Sequence, residues 1–254
     1  MTIPIIIVDR HFADASALFN PNAFSQMVRN DASMCADRLA ILTHSVEIVI
    51  SEPGLDRSRL LKEIRRNKAF NDFVPQPDKP AVLVLHNLNF LSGLYSTLIA
   101  LKSLLDLYSR LIAKLLVPSA SVDGLNRGSY RGRNIPRGRF LMWIECSAPK
   151  SFQNREKLVS VFLGHIDSWV DEAISYRDGV VHDGSIPGIN EARLPLIKAL
   201  SQLRETDVIL PIMPGGVEVI DYCSRLVKST RTLVAETLPL LPGVDVTLLA
   251  LQNN

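Results

Sequence analysis

Cysteine is scarce in this sequence, and its three copies, Cys35, Cys146 and Cys223, stand far apart. An odd count without CxxC spacing excludes a disulfide framework and a zinc knuckle. Three free thiols are typical of a reducing compartment, so we expect a cytoplasmic protein. The chain also lacks GxGxxG, Walker, GxSxG and HExxH patterns and any cluster of metal ligands. We therefore expect neither a cofactor nor a metal.

An excess of charge of one sign is also missing. The net charge is +2, and the charged residues, 21% of the chain, mix both signs. The overall charge of the chain therefore does not require that it bind nucleic acid or an acidic membrane. The N-terminus lacks the basic start and cleavage site of a signal peptide. Residues 80–101 carry no formal charge, but polar residues interrupt them, so we expect a strand or loop leading into a buried helix rather than a membrane span.

Hydrophobic residues make up 47% of the sequence, enough for a sizeable core, and most follow a helical period. The clearest pattern runs from about 90 to 116, with leucines at steps of three and four and a broad apolar face. Further helices are predicted at about 24–51, from Asp56 or Ser58 to 70, at 151–176 and at 217–238.

The remaining pattern indicates little β-structure. Residues 3–8 read as a short strand, and 192–198 and 207–213 as two more that form a hairpin. We therefore predict a mainly α protein: a helical bundle with a small β-hairpin and an N-terminal extension. Its expected parts are the extension over 1–89, a helical core over 90–184, and a hairpin plus C-terminal helix over 185–254.

A run of arginines interrupts the helical pattern between 118 and 140, with no acid after Asp123. One interpretation is a solvated loop. The other is an RNA-binding arm, because guanidinium groups match phosphate oxygens and such segments often order on binding. Its members are Arg127, Arg131, Arg133, Arg137 and Arg139.

The most informative string is YRDGVVHDG, at the end of the 151–176 helix. Arg177 continues the apolar side of that helix, where a cation needs an anionic partner. Asp178 lies four residues before His182 and can face its imidazole if the turn stays helical, as an acid–base catalyst requires. The alternative without a catalytic role is an Arg–Asp surface pair beside a helix-capping histidine.

Arg177 and His182 lie about 140° apart around a regular helix. They can meet at one phosphate if the helix breaks at Gly179, or if two protomers each supply half of the cleft. We favour two protomers, since a twofold dimer repeats the patch from both sides.

Asp106, an acid among leucines, either pairs across the bundle, with Arg177 as one candidate, or is solvated. His165 is expected to be a satisfied core residue.

The string YRDGVVHDG resembles the R-x4–6-H signature of HEPN-domain proteins. The preceding helix LIALKSLLDLYSRLIAKLL and the GRFLMWIE element also resemble HEPN chains, so that the similarity covers roughly 90–184. Gly179 within the motif and Gly184 two places after the histidine depart from the family pattern.

The resemblance implies a helical dimer that cleaves RNA without a metal, as toxin, antiviral-defence or RNA-processing proteins do. Arg177 would stabilise phosphate charge, His182 would move protons during 2′-hydroxyl attack, and Asp178 would orient it. The expected partners are RNA, a second copy, and an antitoxin or defence-system protein. The alternatives are a non-catalytic HEPN module that binds RNA, nucleotide or protein, and a purely structural dimer.

Overall fold

The computed structural model describes residues 9–66, 81–84, 87–117, 152–194 and 202–251. The strand expected at 3–8, the arginine run, the GRFLMWIE element and Cys146 lie outside these residues. The C-terminal half of the strand expected at 192–198 lies outside them as well.

The described chain is mainly helical, as the sequence predicts. Its helices are α1 (Arg10–Leu18), α2 (Arg29–Ile50), α3 (Arg57–Arg66), α4 (Leu88–Leu116), α5 (Arg155–His165), α6 (Asp171–Asp183) and α7 (Val219–Thr237). A π-helical turn, Ile166–Val170, joins α5 to α6. The strands are β1 (Ala81–Val84) and β2 (Glu191–Leu194). Short 3₁₀ turns lie at Pro21–Ala23, Gln26–Val28, Pro53–Leu55, Glu205–Asp207, Leu238–Leu240 and Val246–Leu248.

The chain forms two compact units, each built from discontinuous segments. Unit I comprises Met1–His44, Ser96–Asp178 and Leu226–Asn254, and unit II comprises Ser45–Tyr95 and Gly179–Arg225. Each of the three parts expected from the sequence contributes residues to both units. The boundaries fall within α2, α4, α6 and α7.

The core of unit I is centred on α4. Tyr108 lies edge-on to Phe19, with ring centroids 5.7 Å apart, and 6.4 Å from the ring of Phe162. Most of the apolar stripe predicted for this helix is buried; of the three neighbours expected to widen it, Leu104 and Leu111 are buried and Leu107 is half-buried. By length and composition α4 could cross a membrane, with a mean hydropathy of 1.3, but half of that window is buried inside the protein. Such burial is typical of a core helix.

A buried hydrogen bond links α4 to α7 within unit I. The Tyr108 hydroxyl pairs with Oγ1 of Thr237, which itself donates to the carbonyl of Leu233 at 2.6 Å. Burial raises the pKa of Tyr108 well above its ordinary value, so the phenol stays protonated and acts as the donor.

Replacing Thr237 with valine keeps the shape and removes the acceptor of Tyr108. We expect a loss of about 1–3 kcal/mol, the cost of an unsatisfied buried hydroxyl. Urea unfolding measures it, with Tyr108→Phe and the double variant completing a cycle. The double variant should lose less than the sum of the two singles. A strictly additive pair would contradict the bond.

Unit II is built around a two-stranded antiparallel sheet and α3. Strand β1 pairs with β2 in the register Ala81–Leu194 to Val84–Glu191. Arg193 of β2 also forms an isolated antiparallel bridge with Ile209. In the described residues, therefore, the ladder partner of β2 is β1, and the 207–213 segment of the predicted hairpin supplies only isolated bridges.

Candidate functional site

The helix that carries Arg177 follows a π-helical turn. Within that turn the backbone N–H of Asp171 donates to the carbonyl of Ile166, five residues earlier. One extra residue in a turn rotates all that follows, which sets the face on which α6 places its side chains. The stripe predicted for this segment is buried: Leu158, Phe162, Ile166, Trp169 and Ala173 are at most 7% exposed.

Arg177 follows that buried stripe, as its spacing from Ala173 and Ile174 predicts. Its side chain is 29% exposed, and its Nη1 donates to Oδ1 of Asp178 at 2.8 Å. The Nε atom is buried and, in the described structure, has no hydrogen-bond partner. An unmade hydrogen bond at a buried donor costs about 1–3 kcal/mol, so Nε is a donor in need of an acceptor.

Arg177 lines a groove of about 300 Å³ within unit I. The rest of the lining comes from one face of α4 and comprises Ile99, Lys102, Ser103, Asp106, Leu107 and Arg110. Arg177 and Asp106 both line the groove, but the pairing of Asp106 with an arginine across the bundle is not what the structure shows. The carboxylate of Asp106 is ion-paired with Lys102, one turn earlier on α4.

The charges around the groove are paired one by one. Lys102 is paired with Asp106, Arg110 Nε donates to Asp31 at 3.0 Å, and Arg177 donates to Asp178. What distinguishes Arg177 is that its guanidinium retains the unsatisfied Nε–H. A planar guanidinium with an unmade hydrogen bond suits a phosphate or carboxylate oxygen. The groove can therefore bind an oxyanion at Arg177.

The lining residues Lys102 and Arg110 were not identified as candidates from the sequence. The sequence does carry a signal for them: the charged residues of this helix stand at steps of four, at Lys102, Asp106, Arg110 and Lys114. Such spacing places them on one face.

Helix α6 passes through the motif without a break. Gly179 stays helical, and the helix ends at Asp183, followed by Gly184 with a φ of 77°. A glycine in this left-handed conformation is a common helix stop. The structure therefore excludes the first of the two routes to a shared phosphate, a break at Gly179.

His182 is exposed near the end of α6. On a regular helix its side chain points about 140° away from that of Arg177. Asp178, which the sequence placed beside His182, accepts its hydrogen bond from Arg177 instead. Within one copy, then, the structure brings Asp178 to Arg177 and leaves His182 facing solvent.

The other titratable candidates are occupied or buried. Trp169 Nε1–H donates to Nδ1 of His165 at 2.8 Å, and Nε2 of His165 lies 2.9 Å from Glu236. Both nitrogens are thus engaged, as expected for a satisfied histidine. Cys35 and Cys223 are buried free thiols; burial raises both pKa values, that of Cys223 to about 12, so neither is a ready nucleophile. Among the described residues, no three potential metal ligands cluster.

Comparisons with known proteins give no match: no family model fits the chain, and neither a curated protein nor a solved structure is significantly similar to it.

Proposed function

We propose that this protein is a metal-independent endoribonuclease of the HEPN type, acting as a dimer in which each cleft combines Arg177 of one copy with His182 of the other. The observation that carries the proposal is the buried, unpartnered Nε of Arg177 at a groove lined by cations. The exposed imidazole of His182 on the same unbroken helix supports it. A second copy can approach that imidazole from solvent.

In the proposed reaction Arg177 binds the phosphodiester that is cleaved. Its Nε–H donates to a non-bridging oxygen, where negative charge grows as the 2′-oxygen attacks. Asp178 acts as a positioning residue, because its carboxylate accepts from Nη1 and holds the guanidinium plane. This role differs from the orientation of His182 that the family resemblance implies.

His182 performs the proton transfer. Histidine is the side chain most often used for general acid–base catalysis. The imidazole takes the proton of the 2′-hydroxyl, the O2′–P bond forms and the P–O5′ bond breaks. The imidazolium returns that proton to the leaving 5′-oxygen, directly or through water, so the products are a 2′,3′-cyclic phosphate and a 5′-hydroxyl.

The proposal extends to the setting of the protein. A ribonuclease in the cytoplasm must be kept inactive until it is needed, because it could otherwise degrade the cell's own RNA. We therefore propose a toxin or antiviral-defence effector whose partner is an antitoxin or another protein of the same system. The arginine run between 118 and 140 is proposed as an additional RNA contact. Non-catalytic binding of RNA, nucleotide or protein is the alternative.

The direct test is to incubate the purified full chain with single-stranded RNA in excess EDTA. We expect strand scission with 2′,3′-cyclic phosphate and 5′-hydroxyl ends, resolved by phosphatase and kinase treatment of the fragments. Binding without scission would overturn the nuclease proposal in favour of the non-catalytic module. A dimer that neither binds nor cuts would favour a structural role.

A further inference from the structure

Helix α3 concentrates positive charge in a protein that is nearly neutral. Its ten residues, RSRLLKEIRR, include five basic side chains and a single acid, Glu63. The whole chain carries a net charge of only +2. A charge excess this local belongs to a surface rather than to the protein as a whole.

The apolar side of α3 is buried within unit II. Leu60, Leu61 and Ile64 are 8%, 5% and 2% exposed and pack in a cluster completed by Leu194, Leu203, Val208 and Leu210. This packing fixes which side of the helix faces solvent.

Two of the five basic residues anchor the helix. Arg57 is ion-paired with Glu218 and donates from Nε to the carbonyl of Val208 at 3.1 Å. Arg65 donates from Nη2 to the carbonyl of Leu203 at 2.6 Å. These contacts hold α3 near both ends, so its other side chains project from a fixed support.

The remaining three, Arg59, Lys62 and Arg66, form what we call the basic face. They stand at steps of three and four, on one stripe about 10 Å long, and all are exposed. In the described part of the chain, Arg59 and Lys62 make no ion pair. Arg66 lies 3.8 Å from Glu63, with side chains 77% and 63% exposed, a pair that solvent largely screens.

We propose that the basic face contacts the phosphate backbone of the RNA substrate, on a surface separate from the Arg177 groove. The identity of the polyanion rests on the proposed function. The face itself rests on an independent observation: three exposed cations aligned on an anchored helix. Such cations gain free energy by releasing the counterions of a polyanion. A lipid surface fits less well, since the leucines and isoleucine that would insert are already buried.

The test measures RNA affinity against salt concentration, in a His182→Ala background so that the RNA stays intact. In the variant Arg59→Gln, Lys62→Gln, Arg66→Gln, the slope of log K against log salt should fall by about 2, since each single-strand phosphate contact contributes about 0.7. Affinity at 0.1 M salt should fall on the order of 100-fold by the same relation.

A matched control removes three exposed charges from other helices: Arg38→Gln, Lys157→Gln, Lys228→Gln. These residues lie on α2, α5 and α7 and are all exposed. The control should keep the wild-type slope. Equal losses in both triple variants, or none in the basic-face variant, would overturn the inference. Circular dichroism and urea unfolding confirm that each variant is folded.

The two proposals fail separately. If the wild type cleaves RNA and the basic-face variant keeps the full slope, the basic face serves another partner, such as an acidic protein, and this inference alone is wrong. If the basic face governs binding but no cleavage occurs, the nuclease proposal alone is wrong. A wild-type protein that binds no RNA contradicts this inference outright.

Discussion

Arg177→Ala and His182→Ala are each expected to lower the rate of RNA cleavage by about 10²–10⁴-fold, the range of single acid–base and charge-stabilising groups. Arg177 supplies the one buried donor at the groove that is without an acceptor in the described structure. In the proposed reaction its loss removes stabilisation of the phosphate, and the loss of His182 removes proton transfer. Single-turnover cleavage of a labelled RNA measures both rates.

Two further variants make this result specific to the site. Arg177→Lys keeps the charge but loses the planar fork and its Nε–H, so it should stay nearly as slow as the alanine variant. Lys157→Gln changes an exposed charge on α5, away from the motif, and should cleave like the wild type. Wild-type rates in both alanine variants would rule out the site.

The second large effect concerns stability rather than activity. Asp31 of α2 is 5% exposed and accepts from Arg110 Nε at 3.0 Å and from Lys114 Nζ at 2.6 Å. Asp31→Asn removes the charge that both cations of α4 face in unit I. Breaking a buried pair costs about 3–5 kcal/mol; because Arg110 and Lys114 are 27% and 30% exposed, we expect about 2–3 kcal/mol.

Asp37→Asn is the matched control for this prediction. Asp37 lies on the same helix and is exposed, so its loss should change the free energy of unfolding by less than about 0.5 kcal/mol. Urea unfolding of the two variants compares them directly. Equal destabilisation of the two variants would contradict a specific contribution of the Asp31 pairs to stability.

The helices were largely predictable because their apolar residues follow a period of 3.6. The α4 pattern is strong over 29 residues, and the structure confirms it. Helix α1 was not predicted, because it has only nine residues and buries only His11, Ala15 and Leu18. The pairing of β1 with β2 could not be predicted from the local sequence pattern, because more than a hundred residues separate the strands. The division of the chain into two units could not be predicted for the same reason, since each unit joins segments that are far apart in the sequence.

At the site, the sequence could place Arg177 on the buried side but could not supply its neighbours. The groove is completed by α4, so Lys102 and Arg110 become relevant only once the helices are packed. Asp178 can reach either the side chain before it or the one four residues later, and only the structure selects Arg177. Gly179 reads as a helix breaker, yet its cost of about 1 kcal/mol is easily overridden by tertiary packing.

If one cleft takes Arg177 from one copy and His182 from its partner, two inactive variants should restore each other's activity when they are mixed. Arg177→Ala and His182→Ala proteins are combined under conditions where differently tagged subunits exchange, which co-purification of the two tags verifies. Random exchange makes half of the dimers mixed, each with one intact cleft of two, so activity should return to about a quarter of the wild-type value. A mixture that stays inactive although its subunits have exchanged would show that no cleft combines Arg177 of one copy with His182 of the other.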